Sequence, residues 1–129
     1  MKIIPFKIAK TLKEKGYSQE PKHLCLNCYY EYDGLRKITP LYNEYVWYQS
    51  ACRKYLYSAP STSQVLKWLR DIHGIFIIVF LSDDTDKPVT YEIYRDTECI
   101  YHHHEKYFSL QDWDKANLDA IEYTLDKFI

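Results

Sequence analysis

The chain is expected to fold as a single α+β domain, residues 1–129, built as a mostly antiparallel sheet with about three helices packed on it. Three observations predict this. Strand-like segments come in consecutive runs instead of alternating with helices, which disfavours a parallel sheet. Three stretches carry apolar residues at helical spacing near the start, middle and end. The length of 129 residues suits one domain, and the 47% hydrophobic content can supply its core.

The first helix is predicted over residues 5–15. Pro5 fits the first helical position, where a missing N–H costs nothing. Pro5, Ile8, Ala9 and Leu12 share one face. Gly16 is a natural left-handed stop, with Tyr17 free to fold back on the last turn. A hairpin follows: residues 24–32 and 35–39 read as strands around the turn dipeptide Asp33-Gly34, and Pro40 ends the second. Residues 41–58 read as a short strand and loop.

The segment "APSTSQVLKWLRDIHG", residues 59–74, is the clearest helix. Ser61 and Gln64 form a capping box in sequence. Val65, Trp68, Leu69 and Ile72 make the buried stripe, Lys67, Arg70 and Asp71 lie off it, and Gly74 is the stop. His73, in the last turn, suits the negative end of the helix dipole. Residues 75–81, "IFIIVFL", form an unbroken apolar run and are expected to be a strand covered on both faces. Seven residues fall far short of the roughly 20 that span a bilayer as a helix. In residues 89–95, Val89, Tyr91 and Ile93 alternate with Thr90, Glu92 and Tyr94, so one face is buried and the other wetter. The short link from Leu81 makes these two strands antiparallel. A third strand is expected over residues 98–104. The closing helix, residues 112–127, carries Leu118, Ile121, Leu125 and Phe128 as its buried stripe, with Trp113 near the edge. The chain thus has two arms, each a helix followed by strands, whose residues do not match well enough to make an internal duplication.

Seventeen basic and eighteen acidic side chains leave a net charge of -1, which disfavours a protein that binds nucleic acid mainly by neutralising phosphates. The N-terminal apolar stretch of residues 3–6 is too short for a secretory signal and is broken by Pro5. The expected location is cytoplasmic, with no membrane partner. The four cysteines, Cys25, Cys28, Cys52 and Cys99, are then expected as free thiols.

Three segments in this order, "FKIAKTLKEKGY", "APSTSQVLKWLRDIHGIFIIV" and "DWDKANLDAIEYTLDKFI", resemble a group of small α+β proteins of unknown function from phages and mobile elements of gut bacteria. The resemblance spans nearly the whole chain, and residues 59–70 are its most specific part. It implies a bacterial or phage cytosolic origin, an accessory role and a standalone domain. It carries over no catalytic or binding residues.

Catalytic signals are missing. The chain has no G-x-S-x-G elbow and no glycine-rich phosphate loop, and Asp83, Asp84 and Asp86 lack the glycine and closing glutamate of a calcium loop. No catalytic residue, no enzymatic activity and no cofactor is therefore expected. The outlier in composition is aromatic: 14 Tyr, 3 Trp and 5 Phe, which suit half-buried strands or a contact surface. The leading reading is a non-enzymatic interaction or accessory module that binds a protein partner or a second copy of itself. Its surface would include Tyr45, Trp47, Tyr48, Arg53, Lys54 and Tyr57.

Two alternatives stay open. Cys25 and Cys28 have the spacing of a zinc half-site, which His102 and His104 would complete. Against this, positions three apart on a regular strand point to opposite faces. The segment "CRKYLY", residues 52–57, mixes cations with aromatics, as single-stranded nucleic-acid binders do, although the same pattern describes a protected strand edge.

Overall fold

A computed structural model describes residues 3–18, 28–31, 34–37, 56–83, 86–102 and 106–129. The protein is α+β, and every strand pairing among these residues is antiparallel. The strands form two three-stranded sheets, and the chain divides into two compact units, Met1–Ser61 and Thr62–Ile129.

The first unit holds helix α1 (Phe6–Glu14) and strands β1 (Cys28–Glu31), β2 (Gly34–Lys37) and β3 (Leu56–Ser58), in sheet order β2-β1-β3. Pro5 caps α1 with extended backbone, and Ile8, Ala9 and Leu12 are buried, as their spacing predicts. The helix ends in a Schellman motif. Gly16 takes φ +91, the Tyr17 amide donates to the Leu12 carbonyl at 2.9 Å, and the Gly16 amide donates to Lys13 at 3.3 Å. Tyr17 is buried by this reversal, which pushes its hydroxyl pKa up to about 12. The hairpin is present, its described strands paired from Cys28↔Lys37 to Glu31↔Gly34. Gly34 is already paired with Glu31, so it belongs to β2 and not to the turn. From residues 41–58 the described strand is β3, whose Tyr30↔Tyr57 register ties it to β1.

The second unit holds α2 (Thr62–His73), β4 (Ile75–Leu81), β5 (Val89–Arg95), β6 (Glu98–His102) and α3 (Trp113–Lys127), the last preceded by a 3₁₀ turn at Leu110–Asp112. Its sheet order is β4-β5-β6, with the second strand central. In the first unit the earliest strand is central, so the two arms are not copies of one motif.

Gly74 joins α2 to β4 with φ +64, and its carbonyl accepts from the Asp96 amide at 2.9 Å. Val65 and Leu69 are buried beneath α2, and Lys67, Arg70 and Asp71 are exposed, as predicted. Ile72 is not in the stripe's core. It is 66% exposed, because helical phase fixes the direction of a side chain but not how far its partner extends along the axis.

Helices α2 and α3 cover one face of the sheet. That face presents Ile75, Ile77 and Val79 of β4, then Tyr91 and Ile93 of β5 in register with Val79 and Ile77. Tyr91 and Ile93 are fully buried. The closing helix meets them with Ala116, Ala120, Ile121, Thr124 and Leu125, while Leu118 and Phe128 are half-buried. The small residues at i, i+4 and i+8 let the helix lie close to the sheet. Thr124 satisfies its buried hydroxyl by donating to the Ala120 carbonyl at 2.8 Å.

The opposite face corrects the expectation for β4. It is not covered on both sides: Phe76 is 40% and Ile78 48% exposed. A wholly apolar strand has no alternation to report which side lacks a cover. Among the described residues no helix is long and apolar enough to cross a membrane.

Candidate functional site

The outer face of the β4–β5–β6 sheet brings together the chemistry of the second unit. Phe76, Ile78 and Phe80 stand in one row on β4, since alternate residues of a strand share a face. Phe80 is half-buried. Across from them in register are Tyr94, Glu92 and Thr90 of β5. Thr90 is buried and donates to the Lys106 carbonyl at 3.0 Å, while Val89 beside it bridges Phe108. That end of the face is therefore closed, and the open end lies around Phe76, Ile78, Glu92 and Tyr94.

Beyond β5 the register shifts. Glu92 pairs with His102 and Ile93 with Tyr101, but Tyr94 pairs with Cys99, leaving Ile100 as an extra residue on β6. This bulge has a specific consequence. Cys99 and His102 are three apart and would point to opposite faces of a regular strand. Both now flank Glu92 and Tyr94 on the outer face.

Glu92 is the hub of this group. It accepts a hydrogen bond from the Tyr94 hydroxyl on Oε2, the same oxygen that Cys99 Sγ approaches at 3.7 Å. His102 Nδ1 lies 3.4 Å from Oε1. The Tyr94 hydrogen bond, helped by His102, holds the Glu92 carboxyl below its ordinary range. The same bond to Glu92 pushes the Tyr94 hydroxyl up to about 12. One ligand atom each from Glu92, Cys99 and His102 can be chosen so that all lie within 4.8 Å of one another.

The helix-covered face carries a second polar cluster, and it is structural. The buried Tyr91 hydroxyl donates to Asp119 Oδ2 at 2.7 Å, and Lys106 Nζ reaches the same oxygen at 3.2 Å. Burial raises the Tyr91 pKa, and the Asp119 contact raises it further. Rings pack outward from it: Tyr91 stacked on Tyr101 at 5.9 Å, Tyr101 tilted against Tyr123 at 4.0 Å, and Tyr123 edge-on to Phe128 at 5.8 Å. Several tyrosines of this aromatic-rich chain thus fasten α3 to the sheet.

The residues expected from sequence to form a site fall as follows. Tyr57 is half-buried on β3, edge-on to Phe6 at 5.2 Å, with Lys13 Nζ 4.7 Å above its ring. It is engaged within the first unit. Tyr45, Trp47, Tyr48, Arg53 and Lys54 lie outside the described residues, as do Cys25 and His104. Cys28 lies in β1 of the first unit and His102 in β6 of the second. His73 packs its ring against Trp68 at 4.6 Å, and its shielded Nε2 has no hydrogen-bond partner among the described residues. Sequence reasoning missed Glu92 and Cys99 as neighbours of His102. The missing signal was the bulge at Ile100, which no residue type announces.

No family model, curated protein or solved structure matches this chain.

Proposed function

We propose that this protein is a non-enzymatic interaction module, an accessory protein of phage or mobile-element origin, that works as a self-associating unit through strand β4. The observation that carries this reading is the state of β4. It is seven residues long, has no charge and no proline, and β5 is its one strand neighbour among the described residues. Natural edge strands are usually short, charged, bulged or interrupted by proline, because an unprotected edge recruits another strand. Here the row of Phe76 and Ile78 stands exposed beside that edge.

A second copy is the partner these features suit best. Antiparallel pairing of β4 with its own copy about a two-fold axis is self-complementary. It would satisfy the outward backbone groups of both edges and join the two apolar rows into one. The assignment to phage or mobile elements is supported by the three sequence segments described above.

The test is mass in solution by sedimentation, on the full chain at micromolar to sub-millimolar concentration. The expected result is a dimer that dissociates on dilution. Ile78→Lys should give a monomer whose melting temperature matches that of wild type diluted until it dissociates, since position 78 is half in solvent. A wild-type chain that stays monomeric at the highest concentration overturns the reading.

A further inference from the structure

We propose that Glu92, Cys99 and His102 form a binding site for a divalent zinc-class metal ion on the outer face of the β4–β5–β6 sheet. The donor set is one carboxylate oxygen, one thiolate sulfur and one imidazole nitrogen, the three ligand types that zinc takes. The set does not involve Cys25 or Cys28, and it is independent of whether the chain self-associates.

Geometry carries the inference. In a tetrahedral site with bonds of about 2.0 Å to nitrogen or oxygen and about 2.3 Å to sulfur, ligand atoms sit roughly 3.3–3.5 Å apart. Here His102 Nδ1 is already 3.4 Å from Glu92 Oε1 and Cys99 Sγ is 3.7 Å from Oε2. The three chosen ligand atoms all fall within 4.8 Å, so small side-chain rotations close the set. The ligands are also held by backbone register. Glu92 and His102 are direct cross-strand partners, and the bulge at Ile100 turns Cys99 onto their face. Bulges commonly re-aim a side chain at functional positions.

A supporting residue completes the arrangement. Tyr94, the cross-strand partner of Cys99, donates its hydroxyl to Glu92 Oε2 and so orients the carboxylate from outside. Such hydrogen bonds to a ligand are a normal feature of metal sites and affect affinity by about 10–100-fold. Tyr94 is thus a positioning residue and not a ligand. With three protein donors, the remaining coordination position is open to water. Binding requires Cys99 to lose its thiol proton, so uptake of the ion releases a proton.

The experiment is a titration of the full, tag-free chain with Co²⁺, whose thiolate-to-metal charge-transfer band reports sulfur coordination, followed by displacement with Zn²⁺. The expected result is a saturable band at one equivalent that Zn²⁺ abolishes. Cys99→Ser should remove the band, His102→Gln should weaken Co²⁺ binding at least tenfold, and Tyr94→Phe should weaken it about 10-fold with the band retained. Circular dichroism should be unchanged for all three, because these side chains lie on the outer face. A Cys25→Ser/Cys28→Ser double variant should keep the band. Absence of a thiolate band overturns the site. So does a band that survives Cys99→Ser or disappears with the Cys25/Cys28 pair.

Discussion

The Glu92–Tyr94 hydrogen bond links two titrations that act at opposite ends of the pH scale. Glu92 has its folded pKa lowered, chiefly by the Tyr94 hydroxyl. A lowered carboxylate contributes stability above its unfolded value, about 4.3, and loses it as pH falls through the folded value. Tyr94 has its folded pKa raised to about 12 by the same bond. Its contribution is complete below the ordinary tyrosine value of about 10 and is lost as pH rises from there to about 12. In chelator-treated protein, the stability gap between wild type and Glu92→Gln should therefore narrow below about pH 4. The gap between wild type and Tyr94→Phe should narrow above about pH 10. Urea denaturation across pH measures both, and gaps that stay constant with pH would remove the coupling. Little of this was legible in the sequence. Alternation already put Glu92 and Tyr94 on one face, but Cys99 and His102 look unrelated to them until the extra residue at Ile100 resets the register.

At the scale of the element, the helices were the most readable parts. Their stripes and glycine stops state both a face and an end, and α1 and α2 stop where Gly16 and Gly74 predict. The two glycines differ in a way only coordinates reveal. A Cβ on Gly16 would meet no atom within 4 Å, so an alanine there faces only the left-handed backbone cost of about 1–2 kcal/mol. A Cβ on Gly74 would also press to 2.9 Å from Asp96 Oδ1. Gly74→Ala should consequently lower stability by more than Gly16→Ala in chemical denaturation. Equal losses would mean that the Asp96 side chain yields freely. Elements read by size alone were less legible. The contact face of α3 uses Ala116, Ala120 and Thr124, which a search for large apolar residues passes over. An all-apolar β4 could not declare which of its faces was open.

For the whole molecule, the α+β class and antiparallel pairing follow from the order of segments, but the partition of strands into two sheets does not. Local patterning sets how a strand alternates. It does not say which strand lies beside it, because pairing partners are fixed by packing between segments distant in sequence. The second unit resolves its composition economically. One sheet face is sealed by α2 and α3 through Tyr91, Ile93 and the packed rings, and the other face collects Phe76, Ile78 and the Glu92 group. An apolar row beside a charge-free edge strand is unusual for a chain meant to stay alone. Hydrogen exchange at the β4 amides, compared between dilute and concentrated protein, tests this most directly. Self-association through the edge predicts that protection across Ile75–Leu81 rises with concentration while protection of the central strand, Val89–Arg95, stays constant. Exchange in β4 that is independent of concentration would contradict it.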